Sequence, residues 1–172
     1  YQSTALTLVG DPEEALNNAS RAAKALVRMV DASRSFTMIS GKKHLKFEAW
    51  LTVGAFYGIT ARVPHGGLTA ITSGDGAFLG YTCYAEVVRN GEIIGGAESS
   101  CRAAEDRWHG RDEFQIGSMA QTRAMAKALR SVLAWVVVLA GYQATPAEEM
   151  AGIEDAPPLR QGRTPPSGRV IH

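Results

Sequence analysis

The segment FQIGSMAQTRAMAKALRSVLAWVVVLAGY, Phe114 to Tyr142, constrains the fold more than any other part of the chain. Met119, Ala120, Ala124, Ala128, Leu129, Val132 and Val136 recur at helical spacing and Gly141 supplies a stop, which predicts one long helix. After Ser131 the segment is apolar all round, so it has to be covered on every side, inside the domain or between subunits. The same segment carries Arg123, Lys127 and Arg130 at i, i+4 and i+7, on one side over ~10 Å of helix axis. Like charges at this spacing disfavour an isolated helix by about 0.2–0.5 kcal/mol, so the row needs a counterpart. Two are open at this point: acids of the same protein or a neighbouring subunit, or a polyanion whose phosphates the row grips.

The remaining elements emerge from shorter patterns. Asp11 to Arg34 reads as a helix, with Asp11 as cap, Pro12 in the first turn, Glu13 and Glu14 at the positive end, and Arg21, Lys24 and Arg28 on a solvated face. SFTMIS and the stretch after Gly41 form a hairpin with a tight basic turn, Gly41 to Lys43. A short helix from about Glu48 to Tyr57 ends at Gly58. The middle of the chain is strand-rich, and Asn90-Gly91 is its strongest turn signal. Between these strands, PHGGLTAITSGDGA has the Gly and Ser content of a flexible loop. The fold class is therefore α+β, a mostly antiparallel hairpin sheet packed on a long helix. Residues 1–142 form one domain, and the Pro-rich tail 143–172 is expected to be extended or disordered.

A chain of 172 residues with an apolar fraction of 45% can bury a core of its own. The net charge is only +1, so any anion-binding surface has to come from local clustering. No leader opens the sequence and its longest apolar run, Val132 to Ala140, is well short of the ~18–20 residues of a membrane span, which points to a cytoplasmic protein without a membrane partner. The two cysteines are expected as free thiols: a two-residue turn at Asn90-Gly91 would pair Cys83 with Glu98 and Cys101 with Gly80, on opposite faces of the ribbon.

Enzymatic signatures are scarce. The sequence holds no phosphate loop, no Gly-x-Ser-x-Gly turn and no His-Glu-x-x-His pattern, and no cofactor is expected. Asp75, Glu86 and Glu98 are the candidate acids of a metal-dependent nuclease, the alternative from the enzyme class. The stronger signals are basic. Lys42, Lys43 and Lys46 form a second cluster with Arg62 expected near it, and Tyr57, Tyr81, Tyr84 and Trp108 are aromatics that either stack bases or fill core and interface.

The order of these parts resembles a known family. SFTMISGKKHLKFEAWLTVGAFYGITARV, GYTCYAEVVRNGEIIGGAESSCRAAED and SMAQTRAMAKALRSVLAWVVVLAGY are similar to the core of the Rad-fifty-two superfamily of single-strand annealing proteins, nearest its prokaryotic, phage and DdrA-like branch. KALRS, Lys127 to Ser131, is the most specific piece, and ATPAEEM, Ala144 to Met150, is similar to the segment beyond this helix in relatives. The resemblance implies a β-β-β-α core, a ring- or arc-forming homo-oligomer, and a basic groove that holds single-stranded DNA and the annealed duplex intermediate. It implies groove roles for Lys127 and Arg130, with Arg123 beside them. The family's arginine near the short helix has no counterpart, so Lys43, Lys46 or Tyr57 would take its place. ATP-independent annealing in recombination or repair is the implied activity, with a single-strand-binding protein or a recombinase as further partners. A scaffold whose ladder only joins subunits is the third reading.

Overall fold

The computed structural model describes residues 8–150. The first helix, α1, spans Pro12–Ser33; the Asp11 carboxylate accepts the Glu13 amide at 3.0 Å, and Arg34 closes it in the left-handed region at φ 53°. Strands β1, Phe36–Ile39, and β2, Lys42–Leu45, pair antiparallel around Ser40 and Gly41, both at positive φ. The turn thus lies one step earlier than the basic triplet suggested, and Lys42 and Lys43 begin a strand. Helix α2 covers Phe47–Phe56.

The second sheet has four strands: β3, Ile59–Arg62; β4, Leu68–Thr72; β5, Phe78–Arg89; and β6, Glu92–Arg102. Along one border of β5, β3 and β4 pair with its two halves, and β6 pairs along the other border. The segment expected as a flexible loop therefore contains β4. Its Gly and Ser residues sit in the flanking turns, and the five residues between them, Leu68–Thr72, pair with the first half of β5.

Helix α3, Glu113–Leu139, lies between this sheet and the α1–α2 pair. Its small residues permit the approach: a side chain at Gly117 would meet Leu68 and Tyr81, while Ala120, Ala124 and Ala128 are fully buried. On its other side Leu129 and Leu133 meet α2, where a Cβ at Gly54 would stand 2.9 Å from the Ile59 carbonyl. Burying side chains of the size of Leu26, Trp50, Leu129 and Leu133 contributes about 1.5–3 kcal/mol each.

Two expectations need correction. The β5–β6 ribbon turns at Asn90-Gly91 as predicted, yet a bulge after Ile93 shifts its register, so Cys83 faces Ser99 and Tyr81 faces Cys101. Both cysteines therefore point into the core on the same face, free and fully buried. They are diagonal rather than opposed, at the ~7–8 Å typical of that relation, beyond disulfide reach. The tail, too, is not extended from residue 143: Pro146 is fully buried and Ala147–Met150 forms a 3-10 turn packed on α3. The rest of the expected tail, 151–172, lies outside the described residues.

Candidate nucleic-acid interface

The cation row of α3 meets the free border of β6. Arg123 Nη1 donates to the Ser100 carbonyl at 2.9 Å and Lys127 Nζ to the Glu98 carbonyl at 3.1 Å. Four helical residues rise ~6 Å and two strand residues ~6.6 Å, so cations at i and i+4 match alternate edge carbonyls of a strand lying alongside. This is a structural reason for the spacing, and it covers an edge that would otherwise be exposed.

The three cations then differ. Arg123 is 6% exposed and holds Glu105 in a two-pronged pair, Nη1 to Oε1 at 2.9 Å and Nη2 to Oε2 at 2.7 Å. Burial pushes the Glu105 carboxyl up, but the Arg123 bonds and the Arg102 amide at 2.8 Å outweigh it and hold the group below the usual carboxylate range. Arg123 is therefore committed to the fold and not presented to a ligand. Arg130 pairs with Glu149 of the 3-10 turn through one contact, Nη1 to Oε2 at 2.9 Å, with the two side chains 33% and 17% exposed. Lys127 is half-buried and, among the described residues, has no carboxylate within ion-pair distance. Of the two counterparts left open by spacing, acids of the same chain account for two of the three cations.

The hairpin lysines are dispersed. Lys43 reaches Asp31 at 3.7 Å and stands over the Phe36 ring at 4.7 Å. Lys42 is exposed at the start of β2, and Lys46, at the N-terminus of α2, lines a cavity with Arg107, Trp108, Arg123 and Glu148. Arg62 belongs to the four-stranded sheet and pairs with Glu86 at 3.0 Å. The three candidate nuclease acids do not form one cluster: Glu86 serves Arg62 and lies diagonal to Glu98 across the β5–β6 ribbon, while Asp75 accepts from Ser73 and the Ala77 amide in the β4–β5 turn. Among the described residues no group of three or more His, Cys, Asp or Glu side chains could hold a metal ion.

Tyr57 stands in a different setting. It lines a cleft of about 690 Å³ with Arg21, Lys24 and Arg28 of α1, Phe56 of α2 and Arg89 at the end of β5. The lining contains four cations and no Asp or Glu. Among the described residues none of the four has a carboxylate within ion-pair distance, and the cations of α1 are exposed along ~10 Å of helix. Trp135 adjoins the cleft through its ring contact with Tyr57, centroids 6.5 Å apart, and both Trp135 and Phe56 are about half exposed. Burial raises the Tyr57 hydroxyl pKa, so the ring stays neutral.

Sequence reasoning places Tyr57 among the site residues but assigns the α1 cations to a plain solvated face and passes over Arg89. One signal is available: between Glu14 and Asp31, α1 carries no charge except those three cations. Their meeting with Arg89 is not, since it depends on the packing of α1 against α2 and the end of β5. No family model, curated protein or solved structure matches the chain.

Proposed function

We propose that the protein binds single-stranded DNA and anneals complementary strands without nucleotide hydrolysis, as a homo-oligomer acting in recombination or repair. The cleft around Tyr57 carries this reading: four cations from α1 and β5 without an acid partner among the described residues, no acid in the lining, and aromatic side chains beside them. Rows of cations hold a phosphate backbone without regard to sequence, and neighbouring rings offer stacking surfaces to any base. The cleft also supplies guanidinium groups beside Tyr57, the role for which the resemblance to single-strand annealing proteins finds no arginine in α2. Lys127 remains a contact within this reading, while Arg123 acts through the fold.

Annealing requires that two mutually repelling backbones approach and that bases be held unfolded. A cationic track reduces the repulsion, and pairing then runs downhill. Assembly is supported by the apolar end of α3, where Trp135, Val138 and Leu139 are about half exposed. The test is Lys24→Glu with Arg28→Glu, with oligonucleotide binding and strand annealing measured across a salt series. The expected result is a loss of at least tenfold in affinity for all sequences alike, with a salt dependence about two contacts shallower. Wild-type affinity in the doubly reversed variant overturns the assignment.

A further inference from the structure

The two arginine pairs on α3 are built differently. Arg123 uses its two terminal nitrogens on both oxygens of Glu105 and on the Ser100 carbonyl at 6% exposure, with only Nε left without a partner among the described residues. Arg130 places one donor on one oxygen of Glu149, and the other Glu149 oxygen is buried with no partner among the described residues. The guanidinium fork is suited to two parallel bonds with an anion, so the second pair leaves part of that capacity unused.

Glu149 is delivered by a short segment anchored by the fully buried Pro146 and by three hydrogen bonds. Residues 143–150 are tied by the Gln143 amide to the Lys43 carbonyl at 3.1 Å, by His44 Nδ1 with the Thr145 carbonyl at 2.9 Å, and by Glu148, which accepts the Phe47 amide at 2.7 Å. Glu148 too keeps one oxygen buried without a partner among the described residues, and both carboxylates line a depression of about 260 Å³ with Lys127, Ser99, Ser100 and the paired Glu105 and Arg123. A phosphodiester carries the same single negative charge as Glu149 and offers two free oxygens, so it can meet Arg130 in a two-pronged bond and take a spare donor of Lys127.

We infer that Arg130 and Lys127 form a phosphate site whose resident ligand is this chain's own Glu149, and that a bound strand replaces that carboxylate with a backbone phosphate. The inference rests on the reading of the chain as a single-strand-binding protein and adds a cost to binding: each strand has to displace the 147–150 turn. Arg123 takes no part in the exchange.

The experiment measures oligo-deoxythymidine binding by wild type, Glu149→Gln, Arg130→Ala and the double variant, all in the full chain. Glu149→Gln is expected to bind about two- to fivefold more tightly, the factor set by one partly exposed ion pair. Arg130→Ala is expected to bind less tightly than wild type, and Glu149→Gln to add nothing in that background. Unchanged or weaker binding by a folded Glu149→Gln, or a gain that persists without Arg130, overturns the exchange and leaves the proposed function standing. A wild-type chain that binds no oligonucleotide overturns both. If Glu149→Gln does not fold, hydrogen exchange on wild type decides: saturation with the oligonucleotide is expected to speed exchange at 147–150 and at the Phe47 amide, and unchanged exchange overturns the exchange of partners.

Discussion

Arg123 and Arg130 stand about two turns apart on one helix, and their surroundings give them opposite properties. Removing Arg123 would leave Glu105 facing the core edge without its guanidinium and the Ser100 carbonyl without its donor. Arg123→Ala is expected to lower stability by about 2 kcal/mol, moderated by the 34% exposure of the Glu105 side chain. Arg123→Lys recovers only part of this, because one ammonium cannot bond both oxygens and the strand carbonyl in the same geometry. Urea unfolding monitored by the intrinsic tryptophans checks both; unchanged midpoints would show that Arg123 is dispensable to the fold.

The β5–β6 ribbon shows what one bulged residue does to an element. Without it, alternation would have turned the two thiols to opposite faces; with it, Cys83 and Cys101 both enter the core. Burial raises the Cys83 pKa and pushes Cys101 up to about 11, the nearby Arg123 charge pulling the other way. Unfolding frees Cys101 to ionise near its ordinary 9.0, while the folded chain keeps the proton until about 11. Stability owed to this group is complete below the lower value and is lost as pH rises through the higher one. Melting temperatures over that alkaline range are expected to fall, by less in Cys101→Ala, and native thiols are expected to resist alkylation at pH 8. Rapid labelling of folded protein would contradict the burial. Legibility varies by element for the same reason. Long helices and turn dipeptides declare themselves locally: Asp11, Asn90-Gly91 and Gly141 stand where the patterns put them. The bulge, the pairing of β4 and the docking of Pro146 depend on contacts between distant segments. The α3 row is legible as a row, but no spacing rule says whether its outward neighbour is a strand edge, an acid or a ligand.

For the whole molecule, the charges are sorted rather than spread. On the α3 side acids and bases neutralise each other at Glu105, Arg123, Arg130 and Glu149, whereas the α1–β5 cleft keeps its cations unmatched among the described residues. Among the described residues no helix is long and apolar enough to cross a membrane, and the apolar end of α3 leaves Trp135, Val138 and Leu139 about half exposed. Trp135→Glu with Leu139→Glu is expected to reduce any assembly to smaller species by light scattering, without loss of helical signal. Because Trp135 also touches Tyr57, strand affinity should fall with it. An unaltered size distribution would remove this end of α3 from the assembly surface. The clasp that Arg123 and Lys127 form on alternate carbonyls of β6 also has a directional consequence. With those acceptors occupied, an incoming backbone finds no continuous ladder to extend over Glu98 to Ser100, so any lateral growth of the sheet is steered toward the opposite margin or the hairpin tip. The helix thus polices where a second chain can add.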